Sequence, residues 1–210
     1  MKHIVLLGDS VFDNKAYVNA GLDVIEQVRR RVPDGWKVSL RAVDGSVVEN
    51  VREQTLDLPD GATDLVVSVG GNDAILNAGI LQRQVESSAE VLNELAVISS
   101  EFESRYSEML QGVLRLKKSA AVCTIYNPRI SDPFTQKIAV AALSTFNDVI
   151  TRRAFLAGVP LIDLRLVCDE DSDYANEIEP SEKGGGKIAS AIVRLVSEHN
   201  FEIRRTEVFF

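Results

Sequence analysis

Three short loops carry the residue types that acyl chemistry needs. Gly8-Asp9-Ser10 follows one apolar run, Asp44-Gly45-Ser46 a second, and Gly70-Gly71-Asn72-Asp73 a third. Each alone has an ordinary explanation, since Asp and Ser cap helices, Gly serves turns and Asn serves both. Together they supply a hydroxyl nucleophile and three neutral donors: the Ser10 N–H, the Gly45 N–H and the Asn72 side-chain amide. Donors of this kind beside a serine are what stabilises the oxyanion of acyl transfer. A fourth polar segment, Asn176-Glu177-Ile178-Glu179-Pro180-Ser181, precedes a helix and brings two carboxylates but no histidine.

The elements that must position these loops are legible from hydrophobic periodicity. Apolar runs over residues 3–8, 64–71, 120–127 and 159–164 and an alternating stretch over 36–43 predict five strands. Amphipathic stretches over 14–32, 46–54, 84–118, 134–157 and 187–199 predict the helices between them, the second capped by Ser46 with Glu49 three residues on. Strands alternating with helices predict a five-stranded parallel sheet covered on both faces, as one domain over residues 1–210. In such sheets a ligand lies beyond the carboxyl ends of the strands, where all four polar loops fall. Phe12, Tyr17, Tyr126, Pro128 and Phe134 also sit near strand ends, as candidate pocket lining or as core. The apolar tail FEIRRTEVFF is expected to cover the edge of the sheet; docking onto a second copy, giving a homo-oligomer, is the alternative.

Composition narrows the partners. A net charge of -8 and a pI near 4.9 argue against nucleic acid. The opening MKHIVLLGDS is apolar for too few residues to cross a membrane, and no later run approaches a span, so a cytoplasmic location is expected. Cys123 lies in an apolar run and reads as core, whereas Cys168 lies in a polar loop and reads as exposed. Neither has a CxxC neighbour, and no residue pattern calls for a metal or cofactor.

In order and spacing, GDS after the first strand, a Gly after the second and GGND after the third resemble the SGNH (GDSL) hydrolase family. The resemblance implies a three-layer α/β/α, flavodoxin-like fold and hydrolysis of a small ester, thioester or acetylated sugar through an acyl-serine. It makes Ser10 the nucleophile and Ser10 N–H, Gly45 and Asn72 the oxyanion hole, with Asp9 and Asp73 supporting the loops. The fourth family block, Asp-x-x-His before Pro-Ser, is rewritten here. Asn176 stands in place of the acid and Glu179 in place of the histidine.

The chain's two histidines cannot substitute, because His3 opens the first strand and His199 closes the last helix. Glu179 is then the candidate base, although an ordinary Glu is weaker than His by about 3 kcal/mol of proton affinity. Asn176 is expected to donate its amide to the Glu179 carboxylate, with Asp173 as a further partner. Two readings follow: a serine hydrolase with a Ser10–Glu179 dyad, or a binding module that keeps the pocket and has lost the base.

Overall fold

The computed structural model describes all 210 residues. Six parallel strands form one sheet in the order β2-β1-β3-β4-β5-β6: β1 His3–Gly8, β2 Lys37–Leu40, β3 Asp64–Ser68, β4 Ser119–Cys123, β5 Leu161–Ile162 and β6 Val208–Phe209. The sixth strand corrects the expected five. It comes from the apolar tail, whose Val208 and Phe209 align with Leu161 and Ile162 and cover the β5 edge. Two residues between Glu207 and Phe210 are too short to signal a strand by periodicity.

Helices cover both faces, which is why β1 is buried at every residue. On one face lie α1 (Val24–Arg29) and α7 (Glu182–Glu198), packing Ile25, Val28, Ile188 and Ile192 around Ile4 and Leu6. On the other lie α2 (Val51–Leu56), α4 (Ser88–Arg115) and α5 (Pro133–Ala157), packing Val51, Phe102, Tyr106 and Ile150 around Val5 and Leu7. Two short helices, α3 (Gly71–Leu76) and α6 (Leu164–Val167), follow β3 and β5 directly. The sheet thus divides the interior into two separate cores.

Three boundaries differ from expectation for identifiable reasons. Residues 14–32 hold only a 3-10 turn and the short α1, because the buried Asn14 and the Asp23 cap engage the backbone N–H groups of Val24 and Glu26. The last helix begins at Glu182, five residues early, with Ser181 accepting from the Gly184 N–H. Three consecutive glycines disguise that start, yet a Cβ on Gly184 would lie 2.1 Å from the Asp173 carbonyl oxygen, so close approach requires glycine there. Ser46 caps nothing; Asn50 Oδ1 accepts from the Val47 N–H instead, and Ser46 Oγ accepts from Gln54. Cys168 is buried at 2% exposure, against expectation, and both cysteines are free thiols. No helix is long and apolar enough to cross a membrane.

Candidate active site

Ser10 owes its position to how β1 ends. Gly8 has φ +123°, and a Cβ there would lie 1.8 Å from the Ser68 carbonyl oxygen, so only glycine lets β1 and β3 end side by side. The Gln54 side chain pairs with both backbone groups of Gly8: Gly8 N–H donates to Oε1 (2.7 Å), and Nε2 donates to the Gly8 carbonyl (2.8 Å). Gln54→Ala would orphan both buried groups and is expected to cost about 2–4 kcal/mol of stability, read as a lowered urea midpoint. Beyond Gly8 the chain folds over Asp9, whose Oδ1 accepts from Val11 N–H and whose carbonyl accepts from Phe12 and Asp13 N–H. The Ser10 N–H has no partner within the chain.

Glu179 arrives from the far end of the sequence on a closed loop. Tyr174 bridges Pro180, Ala175 N–H donates to the Glu179 carbonyl (2.8 Å), and Ser181 N–H donates to the Asp173 carbonyl (2.8 Å). The carbonyls on either side of Glu179 are gripped from elsewhere. Tyr126 Oη donates to the Ile178 oxygen (2.6 Å), and Asn14 Nδ2 donates to the Pro180 oxygen (3.2 Å). The outcome is a Glu179 side chain 6% exposed, whose Oε1 accepts from Ser10 Oγ at 3.0 Å. Its Oε2 is buried without a hydrogen-bond partner. The tether roles of Asn14, Gln54 and Tyr126 escaped the sequence reading, which gives Tyr126 only as candidate pocket lining, since nothing in their types distinguishes a loop tether from other residues.

Two expected partners of Glu179 do other work. Asn176 does not donate to the carboxylate; its Oδ1 accepts from the backbone N–H groups of Ile178 and Glu179, each at 2.9 Å. An Asx turn of this kind shapes the loop through the backbone, which competes well with a side-chain contact. Asp173 is fully buried but faces Lys187, whose Nζ donates to its Oδ2 at 2.8 Å. It supports the loop through its backbone contact to Ser181 and makes no hydrogen bond to Glu179.

Burial sets the charges. It pushes the Glu179 carboxyl up to about 7, with the Ser10 hydrogen bond opposing and the Asp44 charge adding. It pushes Asp9 up to about 8, with the Val11 N–H opposing and the charges of Glu179 and Asp73 adding. Asp73 is likewise raised by burial, although its Oδ2 accepts from Val48 N–H at 3.1 Å. Glu179 therefore ionises first, and its charge helps keep Asp9 neutral near pH 7. Carboxyls raised above their unfolded values favour the folded state when protonated. Their contribution is full below about pH 4 and is lost as pH rises through 7 to 8. Asp9→Asn is expected to flatten the fall in melting temperature between about pH 5 and pH 9.

Asn72 sits in the first turn of α3, and its Nδ2 donates to the Ser46 carbonyl (2.9 Å). The second amide hydrogen remains for another acceptor. The Gly45 turn, with φ +80°, is joined to β1 by the Val43 N–H to the Gly8 carbonyl (3.0 Å). Gly45 N–H has no partner within the chain, but the residue lines a separate polar hollow with Arg41, Glu53 and Asp57. Asp9, Ser10, Asn72 and Glu179 instead share a cavity of about 490 Å³ whose remaining walls are mainly apolar.

Tyr126, Pro128 and Phe134 line that cavity; Phe12 is core, and Tyr17 donates to Asp44 Oδ2 at 2.7 Å. The histidines lie elsewhere: His3 Nε2 meets Ser39 Oγ (2.8 Å) and His199 Nδ1 meets Glu207 Oε2 (2.6 Å). No group of three or more His, Cys, Asp or Glu side chains is arranged to hold a metal ion.

A doubly covered parallel sheet with a serine after β1, an Asn-Asp turn after β3 and a carboxylate before the last helix defines a class of α/β acyl-transfer scaffolds. The chain belongs to the GDSL-like Lipase/Acylhydrolase family, which it matches over residues 6–185. Solved structures with the same fold include the extracellular lipase from Streptomyces rimosus, at 14% identity and TM-score 0.66 over 95% of this chain and 100% of that one. The lipase Lip_vut3 from a goat rumen metagenome has 18% identity and TM-score 0.70 over 90% and 95%. Est24, a carbohydrate acetylesterase from Sinorhizobium meliloti, has 11% identity and TM-score 0.66 over 94% and 99%. No curated protein sequence matches the chain.

Proposed function

We propose that this protein is an ester hydrolase that works through an acyl-serine on Ser10, with Glu179 as the general base. One observation carries the reading: the 3.0 Å hydrogen bond from Ser10 Oγ to a buried Glu179 carboxylate, at the mouth of a cavity. Burial lifts Glu179 to about 7, which removes the deficit of an ordinary glutamate and brings it near the reference value of His, ~6.5. A base with its pKa close to working pH is the efficient choice.

In this mechanism Glu179 Oε1 takes the Ser10 proton as Oγ attacks the ester carbonyl carbon. The resulting oxyanion meets the Ser10 N–H and the free amide hydrogen of Asn72; the Gly45 N–H, which opens on a separate hollow, is not among the donors. Collapse breaks the bond to the leaving alkoxide, which takes the proton from Glu179. Water then attacks the acyl-serine, giving its proton to Glu179. Expulsion of Ser10 Oγ, reprotonated from Glu179, releases the acid. Neutral Asp9 beneath the serine adds no second negative charge to oppose the oxyanion.

Removing one oxyanion donor of this type typically costs about 10²–10³ in kcat. Asn72→Ala is expected to lower kcat for p-nitrophenyl esters by that amount while changing KM by less than about threefold. A kcat within about twofold of the parent would remove Asn72 from the mechanism. Absence of turnover above buffer at every pH from about 4 to 9 would instead favour the binding-module reading.

A further inference from the structure

Helix α5 carries two side-chain amides that grip the loop leading into it. Asn147, 1% exposed, pairs with both backbone groups of Ile125: its Oδ1 accepts from the Ile125 N–H and its Nδ2 donates to the Ile125 carbonyl, each at 2.8 Å. In the first turn of the helix, Gln136 does the same for the next part of the loop. Its Oε1 accepts from the Ile130 N–H (2.9 Å), and its Nε2 donates to the Pro128 carbonyl (2.7 Å). Loops usually leave such backbone groups to water. Here four of them between β4 and α5 are fixed to one helix.

The loop that carries Glu179 rests on this segment. Tyr126 Oη donates to the Ile178 carbonyl (2.6 Å), one residue before the glutamate. Arg129 N–H donates to the Glu177 carbonyl (2.7 Å), and Tyr174 Oη donates back to the Asn127 carbonyl (2.7 Å). Asn147 itself neither lines the cavity nor bonds to the Glu179 loop, so anything it does for the site is transmitted through Ile125. The arrangement repeats the Gln54 clamp on Gly8, which fixes the strand end before Ser10.

Resting on the hydrolase reading above, we infer that Asn147 is a positioning residue for the general base. By fixing the Ile125 backbone it sets the Tyr126 hydroxyl, which holds the Ile178 carbonyl and so keeps the Glu179 carboxylate against Ser10. The contact it protects is one hydrogen bond of 3.0 Å. Misplacing a catalytic group by about 1 Å can cost on the order of 10²-fold in rate. The loop also keeps Glu179 buried. A loosened loop admits water, which brings a carboxyl back toward its ordinary ~4.3. Burial outweighs the Ser10 hydrogen bond in setting the present value, so the net movement is downward.

Two variants each delete one link. Tyr126→Phe removes the hydroxyl and keeps the ring in the cavity wall; Asn147→Ala removes both bonds to Ile125. Each is expected to lower kcat for p-nitrophenyl esters by about 10–100-fold while changing KM by less than about threefold. The acidic limb of log kcat/KM should move from its parent midpoint of about 7 to below about 6. A loss of stability alone moves neither quantity in the folded protein. Because the links act in series, adding Asn147→Ala to Tyr126→Phe should lower kcat by less than about twofold more, whereas independent effects would multiply. Multiplying factors, or a kcat and midpoint unchanged in either folded single variant, overturn the assignment. Tyr126→Phe decides alone if Asn147→Ala does not fold.

The Glu179 carboxyl can also be followed without turnover. Carbon-13 NMR of protein labelled at the glutamate carboxyl carbons reads its midpoint directly, with Glu179 assigned by the signal lost in Glu179→Gln. The ionisable groups facing Glu179 are Asp9, Asp44, Tyr17 and Tyr126. Asn147 carries no charge, so a fall caused by its loss reports the loop. The midpoint is expected at about 7 in the parent and below about 6 in both variants. That fall in a protein that cleaves no ester supports the positioning of Glu179 while sinking the hydrolase reading. Ester cleavage governed by Glu179, with its midpoint unmoved in both variants, does the reverse.

Discussion

Replacing Ser10 with alanine is expected to lower kcat/KM for activated esters by about 10³-fold or more. The Ser10 hydroxyl is the only group donating to Glu179 Oε1, and the proposed mechanism has no acyl-enzyme without it. Removal of a nucleophile eliminates the whole covalent route, which is why single losses of this kind are as damaging as loss of several members together. The substitution deletes one oxygen and leaves the Ser10 N–H, Asn72 and the cavity in place, so a melting temperature within about 2 °C of the parent is expected alongside the kinetic loss. The measurement is initial rate on a p-nitrophenyl ester with both proteins purified identically. If the two rates agree within about threefold, Ser10 is not the nucleophile.

The second large effect is the pH profile and its dependence on Glu179. A base works only when unprotonated, and burial has pushed this carboxyl up to about 7. Log kcat/KM should therefore rise with unit slope up to about pH 7 and level off above it. Activity is lost as pH falls through that value, much as it would be with an imidazole. Glu179→Gln keeps the shape of the side chain but cannot take a proton, and is expected to lower kcat by about 10²–10⁴ and abolish the acidic limb. An acidic limb that survives unchanged in the Gln protein would assign the titration to another group, with Asp9, raised to about 8, the first to examine.

The layered α/β architecture and most strand and helix positions follow from periodicity, because β1, β3 and β4 hold continuous apolar runs, β2 alternates and α4 and α5 are long. The site was legible where polar residues sit in short loops directly beyond strands: Ser10 and Asn72 share one cavity with Glu179. What escaped the sequence depends on backbone contacts across long separations. Gln54 reaches Gly8 over 46 residues, Asn14 reaches Pro180 over 166, and Tyr126 reaches Ile178 over 52. A tether to a carbonyl oxygen demands only a donor of suitable length, so residue type carries almost no signal. Asn176 shows the converse. Its amide and a carboxylate three residues away are chemically complementary, yet the nearer N–H groups of Ile178 and Glu179 hold its oxygen.

The sheet that separates two cores also separates two jobs. Tyr126 and Tyr174, which hold the Glu179 loop, pack with the core on the α1 and α7 side, Tyr126 also reaching the cavity; Ile98, Ile125 and Phe146, which form its other walls, pack with the core of α2, α4 and α5. Substitutions among the apolar residues of one layer are buffered from the other by β1, β3 and β4. On the proposed hydrolase reading, substitutions at the cavity-facing positions of α4 and α5 would reshape the cavity walls while leaving the Ser10–Glu179 contact in place.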